Sequence, residues 1–162
     1  MRFSLVDQIL ELEKGKSITA IKNLSLAEEY LQDHFPGFAV MPGVLMVESI
    51  VQAGAWLMRY TNDFEYSTVL LKQTKGIRFN SFVTPGKQLK VSLNVHKWEE
   101  NLCTFKVTSE VEGETAVSGR IVLEQFNLRD KNPSMAENDV ERIKDLQTQF
   151  RQLWKPSKQM TS

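Results

Sequence analysis

Residues 44–60 read VLMVESIVQAGAWLMRY, and this stretch decides the fold. Its spacing suits a helix, yet Val44, Leu45, Met46, Val47, Ile50, Val51, Trp56, Leu57 and Met58 place apolar side chains almost all round it. A helix with so little polar face is stable only when other elements cover it. Pro42 and Gly43 stand just ahead. Both suit a helix start, where N–H groups lack an intrahelical acceptor and proline has no N–H to leave unpaired.

Strand patterns lie on both sides of this helix. Downstream, residues 66–81, 88–98, 102–111 and 115–126 alternate with a period of two, separated by turns at Thr84-Pro85-Gly86, Glu99-Glu100-Asn101 and Glu112-Gly113-Glu114. Upstream, residues 5–24 read as a hairpin about Lys14-Gly15-Lys16, where glycine supplies the positive φ of a tight turn. Between hairpin and helix come a polar, partly helical stretch, SLAEEYLQD, and a loop, HFPGFAVMPG, whose prolines and glycines exclude regular structure. The expected class is α+β, a curved antiparallel sheet wrapped around one buried helix.

The tail differs in character. Residues 130–138 are polar and read as a linker, with Ser134 and Glu137 spaced as a capping box. Val140, Ile143, Leu146, Phe150, Leu153 and Trp154 then form an apolar stripe at helical spacing, suited to packing on the domain body or on a partner. The chain therefore divides into a domain over residues 1–127 and a linker with an amphipathic helix over 128–162.

Composition removes several function classes. Lys+Arg and Asp+Glu both number 20, so no net charge points to nucleic acid or an anionic membrane. No apolar run approaches the ~20 residues that span a bilayer. The N-terminal MRFSLVDQILELEKGK meets acidic residues early and lacks an apolar block with a cleavage site, so no secretory leader is expected. The lone cysteine, Cys103, excludes an intrachain disulfide and a cysteine metal cluster, and it falls on the apolar parity of its strand. A cytoplasmic protein without metal or cofactor is expected.

Two histidines narrow the search for chemistry. His96 lies on the outward parity of its strand. His34 opens the glycine/proline loop, where it can order the backbone through a hydrogen bond or act as a base. Glu48 sits in the first turns of the apolar helix. It either complements the helix dipole or is a desolvated acid, and its apolar sequence neighbours favour the second reading. Gln52, four residues on, can hydrogen-bond it. A neutral imidazole can take a proton and a carboxylic acid can give one, while the free N–H groups at the helix mouth, above all that of Gly43, can hold an oxyanion. The set fits proton abstraction beside a thioester carbonyl with elimination at the next carbon.

His34-Phe35-Pro36-Gly37, Met41-Pro42-Gly43-Val44-Leu45, Glu48, Gln52 and Gly54 together resemble the signature of the β-hydroxyacyl-acyl carrier protein dehydratases. The similarity extends through KGKSITAIKNLS before the motif and IRFNSFVTPGKQL after it. The resemblance implies a hot-dog fold and a homodimer, often assembled further into a trimer of dimers. It implies that His34 of one chain works with Glu48 of the other, with Gly43, Val44, Gln52, Phe35, Pro36 and Gly37 lining the substrate site. Glu rather than Asp at position 48 is similar to the branch that dehydrates without isomerising. Departures are a short lead-in to the first strand, Ala39 where a second proline is common, and the tail beyond Phe126.

The expected activity is dehydration of 3-hydroxyacyl-carrier thioesters to trans-2-enoyl thioesters, His34 as base and Glu48 as acid. An acidic acyl carrier protein would meet Lys72, Lys75, Arg78 and Lys87, which read equally well as an ordinary solvated face. Two other functions share the fold: a thioesterase, and a non-catalytic subunit that binds acyl carrier protein.

Overall fold

The computed structural model describes residues 4–32, 34–35 and 37–156. Strands β1 (Gln8–Glu13) and β2 (Ser17–Asn23) form the first hairpin, and a 3-10 turn follows at Glu29–Gln32. Helix α1 spans Gly43–Thr61, and β3 (Thr68–Phe79), β4 (Gln88–Glu99), β5 (Leu102–Val111) and β6 (Glu114–Phe126) come after it. Two 3-10 turns, Leu128–Asp130 and Pro133–Met135, lead into helix α2, Ala136–Leu153. The strands make one antiparallel sheet in the order β1-β2-β4-β5-β6-β3.

That order explains the position of α1. The chain leaves β2 near one edge and re-enters at β3 on the other, so the connecting helix crosses the inner face, where it meets all six strands. Met46, Ile50, Ala53, Leu57 and Met58 are buried against Ile18, Leu89, Leu93, Phe105, Ile121 and Leu123. Gly54 allows the closest approach: a Cβ there would lie 2.9 Å from a Leu123 methyl and 3.0 Å from a Leu93 methyl. Ser49, buried on the same helix, donates to the Leu5 carbonyl at 2.6 Å. At the far end, the Thr61 hydroxyl accepts from the N–H of Gly15, whose φ of 75° makes the β1–β2 turn.

Two points differ from what the sequence pattern alone conveys. The alternation over residues 66–81 gives strand β3, whose alternation does not translate into burial: it is buried only at its start, and Leu70, Leu71 and Phe79 are exposed. It is an edge strand, and β6 is its one neighbour in the sheet. The capping box expected from Ser134 and Glu137 also gives way. The box forms earlier, between Asn127 and Asp130, while the Asn132 side chain accepts from Ser134 N–H. Residues 128–135 are thus a pair of ordered turns.

Helix α2 packs on the body of the domain. Phe150 lies 5.8, 5.6 and 5.4 Å, centroid to centroid, from Trp56, Tyr60 and Phe64. Leu146 and Leu153 are buried, whereas Val140 of the predicted stripe is half exposed. A buried carboxylate fixes the start of the helix: Asp139 accepts from the Ser67 hydroxyl and from the N–H groups of Leu128 and Arg129. Burial opposes ionisation here, yet those donors and the nearby Arg129 charge hold the carboxyl below the ordinary aspartate range.

A depressed carboxylate contributes stability above its unfolded pKa and loses it as pH falls through the folded value. Acid should therefore weaken the docking of α2 below about pH 4. Asp139→Asn is expected to cost about 1–3 kcal/mol at neutral pH and to flatten that acid dependence. Urea midpoints of both proteins across the acid range would show it; parallel curves for the two would contradict it.

Candidate active site

The site begins with the segment that delivers the loop. The Lys22 ammonium on β2, nearly buried, pairs with Glu28 at 2.8 Å and Asp7 at 3.7 Å. Burial raises the Glu28 pKa, but Lys22, the Ser25 N–H and the Tyr30 hydroxyl outweigh it and hold the carboxyl below its ordinary value. This ties the 3-10 turn to the sheet just before His34.

The loop then closes on itself. His34 N–H aside, its backbone carbonyl accepts from Val40 N–H at 3.0 Å, and its ring Nδ1 lies 3.0 Å from the Val40 carbonyl. A carbonyl can only accept, so Nδ1 is the donor, and the tautomer this contact selects has its lone pair at Nε2. Phe35 and Phe38 exchange two backbone hydrogen bonds of 2.9 Å, and Met41 N–H reaches the Val83 carbonyl. The Phe35 ring stacks on His34 with centroids 4.3 Å apart. Phe35 and Gly37 are exposed on this loop, and Pro36 lies outside the described residues.

The loop feeds directly into α1. Leu45 and Met46 donate to the Pro42 carbonyl, and no side chain caps the helix. The N–H groups of Gly43 and Val44 precede the first intrahelical acceptor, so the positive end of the helix dipole lies at this mouth. Gly43 lies close to β3: a Cβ would stand 3.0 Å from the Phe79 ring, which would have to shift slightly. Val44 is exposed.

Glu48 departs from the sequence reading. It is exposed in the single chain, not desolvated. Its apolar sequence neighbours point elsewhere, because a helix rotates about 100° per residue and Met46, Ile50 and Ala53 turn inward. Glu48 instead opens a cleft of about 310 Å³ between α1, β3 and α2, lined also by Gln52, Trp56, Arg59, Arg142 and Leu146. The expected pairing with Gln52 is present. The Gln52 carbonyl oxygen accepts from Leu5 N–H at 2.8 Å, which turns its amide nitrogen towards Glu48 Oε1 at 3.3 Å.

Within one chain the structure does not bring His34 into this cleft. His34 sits on the loop that leads into α1, while Glu48 and Gln52 share the cleft. His96 is exposed on β4. Lys72, Lys75 and Arg78 are exposed on β3, and Lys87 begins the approach to β4. Lys72 pairs with Glu124 at 3.1 Å and Lys87 with Glu112 at 2.7 Å. Sequence reasoning missed Arg59 and Arg142, although an arginine inside a 17-residue apolar stretch was a signal.

A curved antiparallel sheet wrapped around one buried helix is the hot-dog fold. Residues 1–120 match the FabA-like domain, and the chain belongs to that family. The 3-hydroxyacyl-[acyl-carrier-protein] dehydratase FabZ of Janthinobacterium sp. (strain Marseille) is 36% identical over 136 residues, covering 82% of this chain and 87% of the relative. The FabZ of Levilactobacillus brevis is 39% identical over 113 residues, covering 70% and 76%. Among solved structures, the dehydratase heterocomplex ApeI:P from Xenorhabdus doucetiae superposes with a TM-score of 0.66 at 19% identity, covering 82% of this chain and 90% of that one. Thioesterase PA1618 from Pseudomonas aeruginosa shares the fold at a TM-score of 0.57 and 11% identity, covering 73% and 80%. Among the described residues no helix is long and apolar enough to cross a membrane.

Among the described residues Gln52 engages both Leu5 N–H and Glu48, so its loss should be felt by both. Gln52→Leu leaves Leu5 N–H without that acceptor and is expected to cost about 1–3 kcal/mol. A urea midpoint that falls at unchanged slope would bear this out, and an unchanged midpoint would contradict it.

Proposed function

We propose that this chain dehydrates 3-hydroxyacyl thioesters presented by an acyl carrier protein, giving trans-2-enoyl thioesters for fatty acid synthesis. The family and the FabZ relatives support the reaction. The observation that carries the residue assignment is the two-point clamp of His34 by Val40, which leaves Nε2 as the ring's proton acceptor.

His34 Nε2 removes a C2 proton. The helix-mouth N–H of Gly43, with Val44 beside it, holds the negative charge that gathers on the thioester oxygen. Glu48, steered by Gln52, gives its proton to the 3-hydroxyl as the C3–O bond breaks and water leaves. The C2 electron pair becomes the new double bond. One proton has reached histidine and one has left glutamate, so a return transfer through solvent resets the pair. Phe35 and Gly37, exposed on the loop, form the rim over the acyl chain.

The two halves meet in a homodimer, with His34 of one chain facing Glu48 of the other. Two features support this. The cleft that contains Glu48 does not contain His34. Strand β3 also presents a twelve-residue edge with Leu70, Leu71 and Phe79 exposed, which a second copy of β3 would cover. Lys75 and Arg78 on that strand, with Lys72 and Lys87, are the proposed contacts for the acidic carrier. The proposed setting is cytoplasmic.

Enoyl absorbance from a 3-hydroxyacyl-carrier substrate tests the reaction, and free thiol release would indicate hydrolysis instead. His34→Ala and Glu48→Gln should each lower kcat on the order of 10²- to 10⁴-fold. Mixing the two inactive proteins tests the shared site. Random reassortment makes half the dimers mixed, each with one intact site, so about a quarter of wild-type activity should return. No recovery despite proven subunit exchange would sink the two-chain assignment.

A further inference from the structure

The cleft beside Glu48 contains two cations that the dehydration chemistry does not use. Arg59 is 9% exposed, and its buried Nε has no hydrogen-bond partner among the described residues. Its guanidinium lies 4.9 Å above the Trp56 ring. Arg142 enters the same cleft from α2, its Nε donating to the Ser67 carbonyl at 2.8 Å. Neither arginine has a salt bridge among the described residues, and Glu48, at the other end, engages Gln52. Burial, with Arg142's charge added, pushes the Arg59 guanidinium down to about 10.

A buried, unpaired cation is costly, and the face of Trp56 offsets only part of that cost. The group that would relieve both arginines is an oxyanion, since guanidinium forks match carboxylates in a bidentate geometry. Val51, Ala55, Val69, Leu70 and Leu146 give the cleft an apolar wall, while Ser4, Gln52 and Gln149 add polar groups to its lining. A cleft of about 310 Å³ is also large enough for a small ligand.

We propose that the cleft ends in a carboxylate-binding site formed by Arg59 and Arg142, so that the enzyme takes 3-hydroxyacyl chains carrying a terminal carboxylate. This rests on the dehydratase reading of the same cleft. The reacting carbon sits by Glu48, the chain runs along the apolar wall, and its far carboxylate meets the arginines. Arg59 folds back over Trp56, eight residues from Glu48 along α1. That separation is ~12 Å of helix at 1.5 Å per residue, which sets the span of the chain. Arg142 lies beyond residues 1–120 that match the FabA-like domain, so the second half of the site belongs to the added helix.

The test uses the full chain and non-reacting pantetheine thioesters of equal length, one ending in a methyl group and one in a carboxylate. By calorimetry the carboxylate form should bind on the order of 10- to 100-fold more tightly. Arg59→Met and Arg142→Met should each collapse that ratio, with thermal melts confirming that both variants fold. Equal affinity of the two thioesters in the wild type overturns the proposal. So does inorganic phosphate that binds the arginines without competing with the carboxylate thioester, which would mark a free-anion site. In turnover, the corresponding 3-hydroxyacyl-carrier substrates should show the same preference in kcat/KM. Turnover of both without preference overturns the carboxylate site and leaves the dehydratase reading standing. Turnover of neither removes the dehydratase reading, and the calorimetric ratio still decides the arginine site.

Discussion

At position 54 a single methyl group would come within 2.9 Å of a Leu123 methyl and 3.0 Å of a Leu93 methyl, so α1 rests its backbone directly on side chains of the sheet's inner face. That contact fixes the rotation of the helix about its own axis. With Gly54 inward and about 100° per residue, Ile50, Leu57 and Met58 fall within ~60° of the same direction. Glu48, Gln52 and Arg59 then project roughly 120–160° away, within ~40° of one another. The cleft and its charged residues therefore follow from how a glycine seats the helix. A larger residue at 54 would lift or turn α1, and every functional side chain on it would turn as well.

The seat also explains which parts of the site were legible in the sequence. A nearly all-round apolar helix, alternating strands and the turns between them record burial locally, and each appears within three residues of its expected bounds. The histidine-to-glycine loop and the Glu48–Gln52 spacing were legible for the same reason: partners four apart on a helix meet. The exposure of Glu48 was not legible, because neighbours in sequence are not neighbours on a face. Nor was the exposure of β3, whose alternation is sound but whose place depends on where the crossover lands. Ser134 and Glu137 had the spacing of a box, yet Asn127 and Asn132 supply the caps on the turns before α2. The Val40 clamp on His34 depends on a backbone closure that residue types alone do not encode.

The added helix is more than a tail attached to a finished domain. Asp139 couples its first turn to Ser67 and to the turn after β6, and Phe150 fills a gap ringed by Trp56, Tyr60 and Phe64. These two anchors set α2 alongside α1 with a cleft left between them. Aromatic packing holds one end, while a charge-assisted hydrogen-bond cluster holds the other. The separation of the anchors is what places Arg142 opposite Arg59. Two like charges gathered in a partly closed space repel, so the anchors must outweigh that repulsion when no anion is present.

In the proposed mechanism, one chain alone completes little of the elimination site. The proposed base, its Nδ1 held by the Val40 carbonyl, is ready for its part without any partner. An exposed carboxylate is not: water solvates its charge, and a proton donor for a leaving hydroxyl works best where water is excluded and the dipoles are fixed. Gln52 supplies one such dipole, anchored through Leu5 to the segment before β1. What it cannot supply is closure. In the proposed dimer the partner's histidine loop provides that closure, and the same approach covers the apolar edge of β3. Assembly and catalysis would then draw on one interface, with burial of β3 providing the free energy to bring a hydrated carboxylate into a dry site.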